Sequence, residues 1–184
     1  TLGFLENRLS ALVNEREDYW LIDGLQNYLM VEYINKYYPE IKLLGKVSDS
    51  WFLKRFNISK LKFNEKYPFV YQFTARKYLD QSLTTSADSL SNFNRKIVSK
   101  YKAGLGFNYL KGYLGEDVFN KSIKEFYQKN KLLITKSSDF KNVLEQNSTK
   151  DVHWFFNDFI NTNKKIDYSI DKVKETKDSL KVTI

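Results

Sequence analysis

The chain has 184 residues, no cysteine, two prolines, seven glycines and a formal net charge of +8. Disulfides, thiolate metal sites and cysteine nucleophiles are therefore excluded, and 42% apolar and 16% aromatic content is too high for a disordered tail. The lysines are spread over the whole length without an Arg-rich block, which reads as a solvated basic surface and not as a nucleic-acid interface.

No apolar run approaches the roughly 18 residues of a spanning helix, so no transmembrane segment is expected, and no signal peptide is visible. The chain opens on Thr1, as a processed product or an excised piece would. The scarcity of proline and glycine favours long helices.

Leu5, Leu9, Leu12 and Val13 recur at helical spacing and predict a short helix over 4–14. After the charged break "NERED", a second helix is predicted from Trp20 to Tyr38, with Leu21, Leu25, Tyr28 and Leu29 as its apolar stripe. Asp23 lies near its start, among large apolar residues. It is either a first-turn acid meeting the helix dipole or a metal ligand. Pro39 stops this helix and can open another carrying Leu43, Leu44, Val47 and Trp51. Residues 54–67 read as a loop or broken helix. Pro68 opens a helix with Phe69, Phe73 and Leu79, and the polar run 84–92 holds a loop and a capping signal.

A long helix follows, with Tyr101, Leu105, Asn108 and Tyr109 on one face and Gly104 admitting a close neighbour. Gly115 fits its C-terminal cap. Glu116 and Asp117 then favour the first turn of a helix burying Val118, Phe119, Ile123 and Phe126. Two more helices fit "SSDFKNVLEQNS" and "KDVHWFFNDFINT". The sole histidine, His153, falls in the latter beside aromatic residues and reads as a packed side chain, not a ligand. From Ile166 the pattern alternates: Ile166, Tyr168 and Ile170, then Leu180, Val182 and Ile184, with "KETKD" as the turn between. Two regions are expected, a helical part over 1–163 and a β segment over 164–184 that packs on it or leads into a following domain.

Three stretches carry a resemblance, in order. "WLIDGLQNYL" resembles the "WLxEGxAxY" segment of the aminopeptidase N family of zinc metallopeptidases. "YKAGLGFNYLKGYLGEDVFNKSIKEFYQKN" resembles its "YxKG" helix pair, and "SSDFKNVLEQNSTKDVHWFFNDFI" its closing "TxxDF…FFxxWI" segment. Together they span nearly all of 15–163.

The resemblance implies the helical lobe of a thermolysin-like, gluzincin catalytic domain with a short C-terminal hairpin, hence a mainly α fold. It implies a parent protein that is a zinc-dependent hydrolase, removing residues from peptide N-termini. Family zinc is held by two histidines of HExxH and an acid from the next helix, an arrangement that leaves one position for water. Carried over, Asp23 stands at the third zinc-ligand position and Tyr101 at the tyrosine that hydrogen-bonds the oxyanion. If that site geometry holds, the Asp23 carboxylate and Tyr101 hydroxyl share one concave surface, within about 10 Å of each other.

The sequence departs from the family in two ways. HExxH is absent, and counting roughly nineteen positions back from Asp23 reaches Phe4. The motif either lies upstream of Thr1 across a longer connection or has decayed. Position 23 also carries Asp instead of Glu, one methylene shorter. The expectation is a fragment inactive by itself, with zinc in the parent protein but none bound to this chain. The alternative is a non-catalytic relative that binds peptides or serves as a scaffold.

Overall fold

A computed structural model describes residues 13–14, 16–45, 60–130, 133–165, 170–176 and 179–183. Among them the fold is mainly helical, ending in a two-stranded antiparallel hairpin. No helix among the described residues is long and apolar enough to cross a membrane.

Helix α1 is Tyr19–Tyr37, within one residue of the predicted span. The Asn14 carbonyl accepts the Glu17 and Asp18 amides, which turns the chain into the helix. At the far end the Tyr38 amide bonds to the Ile34 carbonyl, and Pro39 follows. The first three turns are buried nearly all round, through Trp20, Leu21, Leu25 and Tyr28. Leu29, read as part of the stripe, is exposed, as are Tyr33 and Tyr37 in the second half of α1 and Tyr38 just after it.

The helix expected after Pro39 does not begin there. Residues 41–45 form turns, held by an isolated antiparallel bridge of Lys42 with Lys62. Val47 and Trp51 lie outside the described residues, as does most of the predicted 4–14 helix. Val13, at that helix's end, instead bridges Thr135.

Helix α2, Lys66–Arg76, opens with Pro68 in its first turn, as predicted. Its apolar face is a correction. Phe69, Phe73 and Leu79 are exposed, whereas Tyr67, Thr74 and Ala75 are buried. Phe69 and Phe73 stack on each other at 6.5 Å. Thr74 hides its polarity by donating its hydroxyl to the Val70 carbonyl at 2.7 Å.

After the 77–91 loop, Ser91 caps the next helix through its Oγ, which accepts the Asn94 amide at 3.2 Å. A π-helical turn, Asn94–Val98, runs straight into α3, Ser99–Leu114. The buried face of α3 is Lys102, Ala103, Gly106, Phe107, Leu110 and Leu114. The predicted face is its flank: Tyr101 and Leu105 are half-buried, Asn108 and Tyr109 exposed. Lys102 and Gly106 carry no apolar signal in sequence, yet both lie on the packed face. Gly115 ends α3 at φ +95°, a conformation in which a side chain would be strained.

Helix α4, Glu116–Asn130, buries Phe119 and Phe126, with Val118 and Ile123 packed at their edge. Helix α5, Ser137–Asn147, buries Phe140, Val143 and Leu144. The Asp139 carboxylate caps it by accepting the Lys136 amide at 2.8 Å. The closing segment, Trp154–Ile160, is helical but π-wound.

Phe107 is the centre of the core, with Trp20 at 6.1 Å, Phe140 at 5.7 Å, Phe155 at 5.8 Å and Phe119 at 6.4 Å between ring centroids. Offset and edge-on aromatic contacts of this kind add to the large area each ring removes from water.

The hairpin pairs β1, Lys172–Thr176, with β2, Ser179–Thr183. Ile166 and Tyr168 of the predicted first strand lie outside the described residues, and "KETKD", expected as the turn, supplies three residues of β1. Register follows backbone pairing and the turn, not the apolar alternation. Val173 faces Val182, and the Thr176 hydroxyl donates to the Ser179 carbonyl at 3.0 Å. Both strands are exposed throughout.

Candidate functional site

Helices α1 and α3 form the main packed pair. They run in the same direction, since Asp23 meets Lys100, Gly24 meets Ala103, and Glu32 meets Lys111 at 2.6 Å. Two glycines permit the close approach. A Cβ on Gly24 would lie 2.5 Å from the Ala103 Cβ and 2.8 Å from the Phe107 ring. A Cβ on Gly104 would strike the Asn27 amide. The predicted role of Gly104 is therefore met, with a partner no local pattern could name.

Asp23 projects from this seam. Its carboxylate is about a quarter exposed and pairs with the Lys100 ammonium at 3.5 Å. It lines a cavity of about 300 Å³, whose charged wall also includes Arg95 and Lys96 and whose apolar wall is Val13, Tyr19, Ile22 and Ala87. Arg95 and Lys96 belong to the π-helical turn ahead of α3, where the helix dipole adds to their positive potential. The Tyr19 hydroxyl is buried without a hydrogen-bond partner, as is the Ser99 hydroxyl. Burial holds the Tyr19 phenol above its ordinary value; nearby Ser99 offsets part of this, and the Asp23 charge adds to it. Tyr19 is thus a neutral donor.

Tyr101 follows Lys100, about 100° further round the helix. Its ring stands edge-on to Tyr67 of α2 at 4.7 Å. Burial raises the pKa of Tyr101. It also raises that of Tyr67, with Tyr101 adding to the effect, and the Tyr67 hydroxyl points to the Met30 sulfur at 3.8 Å. Asp23 and Tyr101 hang on helices in contact, but Lys100 lines the Asp23 cavity and Tyr101 does not. His153 is exposed and paired with Asp151, whose carboxyl is held below its ordinary value chiefly by the His153 backbone amide, then by its ring.

The described residues do not fit a zinc ion. No three His, Cys, Asp or Glu side chains among them are grouped to hold a metal. The Asp23 carboxylate is already opposed by Lys100, and the other charged residues lining its cavity, Arg95 and Lys96, are cations. A divalent ion at Asp23 would be placed against three positive groups.

Sequence reasoning missed the cations. Lys96 and Lys100 are four apart on one helix, so their shared face was legible. That this face opens toward Asp23 was not, because it depends on how α1 and α3 pack. A second cluster also went unread. The buried Asp80 carboxylate accepts Lys165 at 2.6 and 2.8 Å and lies 3.7 Å from the buried Lys102 ammonium. Lys102 also donates to the Thr162 carbonyl at 2.9 Å, fastening α3 to the backbone just after the closing segment.

No curated protein and no solved structure matches this chain. Residues 12–159 match the peptidase family M1 domain, a span that includes Asp23, the α1–α3 seam, the helix pair after Tyr101 and the closing aromatic segment. The chain belongs to peptidase family M1.

Proposed function

We propose that this chain is a peptide-binding helical lobe of the M1 type in which the metal position has been given over to ion pairing. Asp23 stands at the family's third-ligand position and Tyr101 at its oxyanion position, but the lobe does not complete a zinc site. The observation that carries this reading is the Asp23–Lys100 pair at 3.5 Å, in a cavity whose other charges are Arg95 and Lys96. An acid engaged in this way serves to position cations. Family membership supports peptides as the ligand class.

The second reading is a zinc-dependent aminopeptidase, with HExxH supplied by sequence outside these residues. The family match favours it, together with the presence of an acid at 23 and a tyrosine at 101 in the family's order. Both readings agree that residues 1–184 lack the two histidines and the general base, and so do not hydrolyse peptides by themselves.

The test uses the protein in its native sequence context. It is dialysed with zinc, analysed for metal, and assayed on aminoacyl anilides and on short peptides by calorimetry. Peptide binding with zinc well below one per chain and no anilide hydrolysis is expected. Stoichiometric zinc together with hydrolysis lost in Asp23→Ala would overturn the proposal and establish the second reading.

A further inference from the structure

The cavity beside Asp23 holds more positive charge than its own carboxylate can balance. Arg95 and Lys96 have no acidic partner among the described residues. Lys100 reaches Asp23 only at 3.5 Å. Asp88, next to the lining residue Ala87, is taken by Arg16 at 3.0 Å. Among the described lining residues one carboxylate therefore faces three cations, at a site close to a helix start. That is the field of an anion site.

The remaining wall narrows the anion. Ile22, Ala87 and the Tyr19 ring offer an apolar surface that a short methylene stem can cover. A volume of about 300 Å³ suits one amino-acid side chain or a chain end. Arg95 presents a planar fork that matches a carboxylate in two parallel hydrogen bonds, and Lys96 adds a point charge beside it. Tyr19 contributes a buried hydroxyl with no acceptor of its own.

We infer that this cavity receives the carboxylate of a peptide ligand, from an aspartate or glutamate side chain or from the C-terminus, with Arg95 and Lys96 as its principal partners. This rests on the peptide-binding reading and deepens it: the lobe selects acidic or carboxyl-terminated peptides. Asp23 orients Lys100 and limits how much negative charge the site accepts.

Calorimetry with three N-acetylated pentapeptides tests the inference. One has a central glutamate and an amidated C-terminus. The second has glutamine in its place, also amidated. The third has glutamine and a free C-terminal carboxylate. The glutamate peptide or the free-acid peptide should bind roughly 10-fold or more tightly than the neutral one, and which of the two does so identifies the source of the carboxylate. Arg95→Gln should remove that preference, while Arg95→Lys should recover part of it. Arg95 is exposed, so circular dichroism should report an unaltered fold. Equal affinity for all three peptides overturns the inference but leaves peptide binding standing. Failure of all three to bind overturns both.

Discussion

Two aspartates face lysines that are two residues apart on α3, with opposite consequences. Asp80 is sealed. Its side chain has no exposure, Lys165 reaches it at 2.6 Å, and Lys102, itself 2% exposed, lies at 3.7 Å. Asp23 is open, 26% exposed, with Lys100 at 3.5 Å. Two residues on a helix are separated by about 200° around its axis, so one lysine points into the protein and the other to the cavity. The chemical types are identical. Access to water alone makes one cluster part of the scaffold and leaves the other available to a ligand.

The largest expected effect follows from the sealed pair. Asp80→Ala leaves two ammonium groups facing one another, Lys102 still buried and without its counterion. Removing one partner of a buried ion pair costs about 3–5 kcal/mol. Urea unfolding should show that loss, whereas Lys102→Met should cost far less, because Lys165 still neutralises Asp80. A small change for Asp80→Ala would mean that water reaches the cluster and that the contrast with Asp23 is false.

Next in size is the seam from which both lysines project. Gly24→Ala places a methyl 2.5 Å from the Ala103 Cβ. The neighbouring atoms are core side chains with little room to give, so α1 and α3 must move apart, at about 1–3 kcal/mol. Because Asp23 adjoins Gly24, the shift should also weaken acidic-peptide binding. Gly112→Ala on the exposed side of α3, where an added Cβ meets nothing within 4 Å, is the control and should be neutral or stabilising.

The fold was legible where burial and apolarity coincide. Phe119, Phe126, Phe140 and Phe155 announce their helices because each apolar residue in the pattern is also a core residue. It was misread where they part: at Phe69 and Phe73, apolar but exposed, and at Thr74, Lys102 and Gly106, polar or small but buried. Capping signals at Ser91, Gly115 and Pro39 depend only on local backbone geometry and were readable as such. Asp23 was found through its neighbours in sequence. Its ion partner Lys100 lies over seventy positions later, brought close by a glycine seam, and no local pattern encodes that.

The third effect is a pH dependence confined to the sealed cluster. Burial lowers the Lys102 pKa from 10.5 to about 8; Asp80 opposes the shift and Lys165 adds to it. Below about 8 the lysine is charged in both folded and unfolded chains, and its burial cost is fully present. Between about 8 and 10.5 the folded protein sheds a proton that the unfolded chain still holds, so stability gains with rising pH. Tyr67 and Tyr71 act in the opposite sense at higher pH, because burial raises both above their ordinary 10.0. The measurement is therefore the difference between wild type and Lys102→Met in urea midpoint, from neutral pH to the onset of phenol ionisation. Wild type should gain relative to the variant. Parallel curves would show that Lys102 keeps its proton throughout.

The smallest effect on stability falls on Asp23, and the sign of its effect on binding separates the two functional readings. A partly exposed pair at 3.5 Å contributes about 0–1 kcal/mol, so Asp23→Asn should unfold close to wild type, with the difference vanishing in high salt. Among the described lining residues, Asp23 is the only carboxylate competing with a ligand for Lys100. Replacing it with the neutral, near-isosteric amide frees that cation, so the affinity for the glutamate or free-acid peptide should rise, by roughly 2- to 10-fold. The neutral peptide should be unaffected. If position 23 instead holds a metal in the complete protein, the same substitution removes a ligand and its charge: metal retention and hydrolysis fall, and no carboxylate-selective gain appears. One variant, assayed with the acidic and neutral peptides and by metal analysis, thus moves in opposite directions under the two readings.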